Sequence, residues 1–278
     1  MIRIPILKML KIFKRDKRKL ERLCGTSPDS VDVRLTQIKK RRWRKLGNTP
    51  PGTILQRVDV LQREQLGWPS CAGQTLAEGI DRQLPVNSNP VSAVSIWRDA
   101  RRRSGTPISN ISVGTTITSC IDSIIHRGWD DWVKGEDSDP VEMGAGAPKA
   151  GDDLRDELMA HDNKKRVTLH YRITSLDELD DALAKGASVA AGFGVRKPFI
   201  TLKTGEVATR YHLGGGSNGH AMSIVGRIIR DGGRLYVVQN HWTDWGGCVI
   251  EGRTLDGYCI VDEEAVRSAW DLHAIVIR

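Results

Sequence analysis

Three side chains far apart in the sequence have the types that thiol-based acyl transfer needs: Cys71, His220 and Asn240. A thiol is a weak nucleophile unless it is held as the thiolate. In the segment Gln65-Leu-Gly-Trp-Pro-Ser-Cys71-Ala-Gly-Gln, Ser70 reads as the N-cap of a helix. Cys71 then lies one residue past the cap, where free N–H groups and the partial positive charge of the helix end favour an anion. Gln65 stands six residues earlier. Its side-chain N–H, with the Cys71 backbone N–H, would make an oxyanion hole. His220 opens an apolar strand directly after glycine, in Asn218-Gly-His220-Ala-Met-Ser-Ile-Val-Gly226. Asn240 ends another strand beside two indoles, in Gln239-Asn240-His241-Trp242-Thr-Asp-Trp245-Gly-Gly. An asparagine carbonyl there can orient the imidazole of a Cys–His pair. Each residue alone has an ordinary structural reading: a buried thiol, a satisfied histidine, a turn amide. Their ordered combination is what points to chemistry.

The elements that must position these groups are legible in the periodicity. Ala72, Leu76, Ile80 and Leu84 recur every four residues until Pro85 stops the helix that Cys71 begins. Further helices are predicted from about Ser92 to Arg103, and from about Thr116 to His126 with Gly128 closing it. Ser175-Leu-Asp-Glu178 reads as a capping box, opening a helix that runs to Gly186. Strands dominate the last hundred residues: Ala187–Val195, His220–Ile229, Arg234–Gln239, Gly257–Val261 and His273–Ile277. Asp231-Gly232-Gly233 marks a hairpin between the second and third. Helices first and antiparallel strands after make the fold class α+β. The Gly-, Asp- and Pro-rich stretch from about Asp131 to Lys165 reads as irregular loop.

On these motifs the chain resembles the papain family of cysteine peptidases. The order Cys, His, Asn is that family's order, with 149 residues from Cys71 to His220 and 20 from His220 to Asn240. The spacing of six from Gln65 to Cys71 is also the family's. Asn240-His-Trp242-Thr-Asp-Trp245-Gly246 looks like its Asn-Ser-Trp-Gly-x-x-Trp-Gly motif, and Gly257-Tyr258 like the Gly-Tyr that follows. Val91-Ser92, Gly114-Thr115 and Trp270 are weaker echoes. The resemblance covers roughly residues 53–278. It implies a papain-like two-lobe fold, with a helical left lobe, an antiparallel β-barrel-like right lobe and the active site between them. Cys71, His220 and Asn240 would be the triad, and Trp242 would cover the Asn–His hydrogen bond. The chain departs from the family around the nucleophile, with Trp-Pro-Ser-Cys-Ala where Cys-Gly-Ser-Cys-Trp is usual. Pro69 replaces a glycine near the oxyanion hole, and His241 replaces a serine.

Charge divides the chain of 278 residues. Net charge is +8, yet residues 1–46 alone carry 16 basic and 4 acidic residues. The division is residues 1–50, a basic N-terminal arm with a linker at Asn48-Thr-Pro-Pro-Gly52, then residues 51–278, the peptidase-like domain. Residues 6–23 read as a basic amphipathic helix, and a second basic cluster runs from Lys39 to Lys45. The arm suits contact with a polyanion or with a larger assembly, a phage virion among them; a pro-segment and a solvated tail are the other readings. Five cysteines and no Cys-x-x-Cys pair argue against a disulfide framework or a cysteine zinc site, although a Cys248–Cys259 bridge stays open. Cytoplasmic or particle-associated residence is expected, with no transmembrane span. The histidines show no metal spacing, and no cofactor is expected. Hydrolysis of peptide or isopeptide bonds is the leading reading. The alternatives are an amine-accepting transamidase and a catalytically silent adaptor docked through its arm.

Overall fold

The computed structural model describes residues 41–42, 52–63, 65, 69–106, 113–132, 167–215, 218–242 and 245–277. The amphipathic helix expected over 6–23, the Asn48–Pro51 part of the linker and the loop over 133–166 lie outside the described residues.

Among the described residues, three helices precede most of the strands: α1 (Cys71–Gln83), α2 (Ala93–Arg103) and α3 (Ile117–Arg127). All three were predicted. α2 and α3 start as their sequences dictate: Ser92 Oγ accepts from the Ser95 N–H at 3.0 Å and Thr116 Oγ1 from the Ser119 N–H at 2.9 Å. Gly128, at φ +91°, closes α3 by donating its N–H to the Ile124 carbonyl. Ser70 precedes α1 without a side-chain capping bond. α1 is buried along all but its last residue, so it is the central helix and must be approached closely from two sides. Glycines allow this. A Cβ on Gly73 would lie 2.6 Å from the Ala93 carbonyl oxygen of α2, and one on Gly79 would lie 2.9 Å from Ser188 Cβ. α2 and α3 are joined by Asp99, which accepts from Ser123 Oγ (2.6 Å), Arg103 Nε (2.8 Å) and Arg127 Nη1 (3.2 Å). Burial opposes the Asp99 charge, but the Ser123 hydroxyl and Arg103 outweigh it and hold the carboxyl below its usual range.

The strands are β1 (Arg41–Arg42), β2 (Ile54–Leu55), β3 (Val167–Arg172), β4 (Ser188–Val195), β5 (Val207–Ala208), β6 (Asn218–Arg230), β7 (Gly233–Gln239), β8 (Cys248–Ile250), β9 (Arg253–Leu255), β10 (Tyr258–Asp262) and β11 (Asp271–Ile277). Nine of them form one sheet in the order β1-β3-β11-β4-β6-β7-β10-β5, with β2 also paired to β6; β8 and β9 form a separate hairpin. All pairings in the large sheet are antiparallel except β1–β3 and β10–β5. The sheet stays open, with no closed barrel among the described residues, so the β-rich lobe is less barrel-like than expected. Asp231 (φ +51°) and Gly232 (φ +78°) make the two-residue turn between β6 and β7; two successive positive φ angles match the twist of a hairpin. The other helices among the described residues are short: α4 (Leu176–Ala184), α5 (Lys197–Ile200) and α6 (Glu263–Arg267). At α4 the capping is not the expected reciprocal box. Ser175 Oγ accepts from the Glu178 N–H, but the Glu178 carboxylate takes the Thr174 N–H (2.7 Å) and hydroxyl (2.9 Å).

Three apolar clusters make up the described core, the smallest being Val225, Val237, Cys248, Ile250 and Tyr258; the two larger ones bear on the site. One gathers Cys71, Leu76, Ile80, Ile96, Ile117 and Ile121 with Ala190 and Ala221 of the sheet. The other lies on the sheet around Phe193, Phe199, Ile224, Tyr236, Val238, Trp242 and Trp245. The small side chains Ala190 and Ala221 are what let α1 lie on β4 and β6. Burial of this apolar surface, at about 25 cal/mol per Å², is the main force fixing helix against sheet.

Candidate active site

Cys71 is the first residue of α1 and fully buried, packed in the cluster that contains Ala221. Ala221 follows His220 on β6. The register of β4 against β6 pairs His220 with Phe193 across the sheet. Cys71 at the start of α1 and Ala221, next to His220 on β6, thus share one apolar cluster on the seam between helix and sheet.

His220 and Asn240 meet directly. Their Nε2 and Oδ1 atoms are 2.7 Å apart, and both residues are wholly buried. The protonation state follows from a second contact. The backbone N–H of His241 lies 2.8 Å from the same Asn240 atom. A backbone amide only donates, so that atom is the carbonyl oxygen, and His220 Nε2 must carry the proton that it gives to it. Nδ1 is then the free lone pair of a neutral ring. No hydrogen-bond partner for it occurs among the described residues. A buried lone pair without a partner is costly in a purely structural site and useful in a site that accepts a proton.

The Asn240 backbone is pinned from both sides: its N–H donates to the Gly257 carbonyl (2.9 Å) and its carbonyl accepts from Gln62 Nε2 (2.8 Å). Gln62 Oε1 in turn accepts from Gln239 Nε2 at 2.9 Å. Gly257, at φ +77°, leaves the room that Gln62 fills, since a Cβ there would come 2.5 Å from its Nε2. Trp242 stacks on His220 with centroids 4.7 Å apart and planes 25° apart. Its other neighbours are Phe199 and Trp245, both edge-on. Trp245 is anchored by its Nε1–H to the Phe199 carbonyl (2.9 Å).

Burial pushes the His220 imidazolium down to about 3, helped by the charge of His241 and opposed by the Asn240 hydrogen bond. That value belongs to a ring without an anionic neighbour. A thiol proton moved onto it creates anion and cation together, so the two groups titrate as a pair.

Gln65 is buried at the site, and its backbone N–H donates to the His241 carbonyl at 2.9 Å. Residues 66–68, including Trp68, lie outside the described residues. Cys248 and Cys259 are free thiols, not a bridge, and burial raises both, Cys248 to about 11. Among the described residues no group of His, Cys, Asp or Glu is arranged to hold a metal ion. No described helix is long and apolar enough to cross a membrane. Sequence reasoning missed Gln62, Thr75 and Glu78. Glu78 carried no signal in the sequence: it lies opposite the apolar stripe of Ala72, Leu76 and Ile80, and only the structure shows that this face of the helix is buried too.

No family model and no curated protein matches the sequence. Solved structures do match. Xylellain, a cysteine protease from Xylella fastidiosa, superposes with a TM-score of 0.68 at 21% identity, over 92% of this chain and 96% of its own. Procathepsin B S9 from Trypanosoma congolense gives 0.63 at 14% identity, over 99% of both chains. The bromelain protease from Ananas comosus, solved with the E64 inhibitor, gives 0.58 at 16%, over 82% of this chain and 100% of its own. The chain has the α+β, two-lobe fold of the papain-like cysteine proteases.

Proposed function

We propose that the protein is a cysteine-type peptidase hydrolysing peptide or isopeptide bonds through Cys71, His220 and Asn240. The observation that carries this reading is the double acceptance at Asn240 Oδ1, which fixes His220 as the tautomer with its basic nitrogen free. An ordinary core histidine needs no such arrangement.

Cys71 Sγ attacks the scissile carbonyl carbon while its proton passes to His220 Nδ1. The Cys71 N–H and the Gln65 side chain hold the oxyanion that develops. As the tetrahedral intermediate collapses, His220 gives its proton to the leaving amine and a thioester remains. Water then attacks the thioester, His220 takes its proton, and the acid is released as Cys71 is reprotonated. Asn240 keeps the ring oriented throughout, and Trp242 keeps water from the hydrogen bond that does so.

The test is turnover of a peptide library by wild type and by Cys71→Ala. Loss of all turnover with unchanged thermal unfolding supports the reading. Turnover unaffected by Cys71→Ala would favour the silent adaptor. Product carrying an added primary amine in place of water would make the protein a transamidase.

A further inference from the structure

His241 follows the Asn240 that orients His220, and its side chain lies in the seam between α1 and the sheet. It is fully buried. Its Nδ1 is 2.9 Å from Glu78 Oε1, and neither side chain has any exposure. Its Nε2 is 3.0 Å from Thr75 Oγ1 and 3.1 Å from the Ala221 carbonyl oxygen. Glu78 Oε2 accepts from Ser223 Oγ at 3.2 Å, and the same hydroxyl reaches the Thr75 carbonyl. One imidazole thus touches the nucleophile's helix at two successive turns, the base's strand beside His220, and the asparagine loop.

The partners decide its charge. A carboxylate and a backbone carbonyl only accept, and the Thr75 hydroxyl can accept as well as donate, so all the ring's partners are met when both ring nitrogens donate. A ring lacking either proton would set a lone pair against an oxygen lone pair. A wholly buried Glu78 carboxylate likewise requires a cation against it. The other titratable groups facing the pair are His220 on β6, Asp81 on α1 and Tyr258 on β10; Arg82 reaches Tyr258. Asp81 is already engaged by Arg63 Nη2 at 2.6 Å.

We propose that His241 is a positioning residue: held as an imidazolium by Glu78, it fastens the Cys71 helix, the His220 strand and the Asn240 loop together and keeps a fixed positive charge beside the reacting pair. The His220 and His241 ring centroids are 5.8 Å apart. The charge therefore favours the Cys71 thiolate and opposes a second proton in the site. This role rests on the peptidase reading; the state of His241 does not.

The experiment has two arms. Nitrogen-15 NMR of histidine-labelled full-length protein reads the His241 ring directly. Both nitrogens are expected to carry a proton in the folded protein; a neutral tautomer overturns the proposal. The second arm follows Cys71 alkylation by iodoacetamide against pH in wild type, His241→Ser and Glu78→Gln/His241→Ser. Removing the positive charge is expected to move both inflections of the rate upward together, by about one pH unit or more. A merely structural histidine would change the rate and leave the inflections in place, and that result also overturns the proposal. The double variant loses a charge of each sign and is expected to shift the inflections less than the single one; where the single variant, with an unpaired buried carboxylate, does not fold, the NMR arm decides. Slow acid labelling in wild type would sink the peptidase reading, while the protonation of His241 read by NMR would still decide its charge.

Discussion

Trp242 lies almost parallel to His220, with ring centroids 4.7 Å apart. The indole covers the face of the imidazole whose Nε2–H is committed to Asn240. A hydrogen bond in a water-free site is stronger and better oriented than one that exchanges with solvent. Trp242→Ala should therefore lower kcat/KM about tenfold or more, and cost about 3–5 kcal/mol of stability as a large buried side chain is lost. Trp242→Phe should retain most of both. Steady-state kinetics beside urea unfolding of the two variants checks this.

Asn240→Ala should cost more activity than stability. The variant leaves His220 Nε2–H and the His241 N–H without their shared acceptor. The ring is then free to take the tautomer with its proton on Nδ1, which cannot accept a thiol proton. A fall in kcat of about 10- to 1000-fold with KM nearly unchanged is expected. Nitrogen-15 shifts of His220 should show the tautomer mixture directly.

Stability should fall on acidification below neutrality. His220 is held neutral by burial, its imidazolium lowered from 6.5 to about 3. Between those values the unfolded chain binds one more proton than the folded one, so folding stability rises with pH and is lost as pH falls through the window. An internal transfer of the Cys71 proton to His220 leaves this count unchanged, because the site still holds one proton in all. Urea unfolding from pH 7 to pH 4 should show a steeper loss in wild type than in His220→Gln.

Gly73→Ala should destabilise the helical lobe. The new methyl would meet the Ala93 carbonyl oxygen and Trp97 Cβ, neither of which is the movable end of a side chain. Overpacking of this kind costs about 1–3 kcal/mol. A lower Tm checks it, with Gly205→Ala marking the effect of backbone conformation alone, since its Cβ would meet nothing.

The sequence carried the helices well because their signals are local. Ser92, Thr116 and Gly128 act within one turn of the helix they bound, and each does in the structure what its type dictates. The β6–β7 hairpin was legible for the same reason. The strands β3, β8 and β9 were not. β3 is defined by pairing with β11 about a hundred residues away, and β8 and β9 are three residues each. In the site, Cys71, His220 and Asn240 stood out by type and order. Gln62 and Glu78 did not, because what they do depends on partners more than 160 residues distant. His241 was visible only as a departure from a motif, and its meaning required the carboxylate across the seam.

Cys71 and His220 acting as one acid–base pair is the point on which the chemistry turns. The most direct measurement is alkylation of Cys71 by iodoacetamide, read by peptide mass spectrometry from pH 4 to 9, in wild type and His220→Ala. An ordinary thiol, with a pKa near about 8.5, labels slowly in acid. Fast labelling near pH 5 that disappears in His220→Ala is the predicted result. Slow labelling in acid, identical in the two proteins, would contradict the pairing.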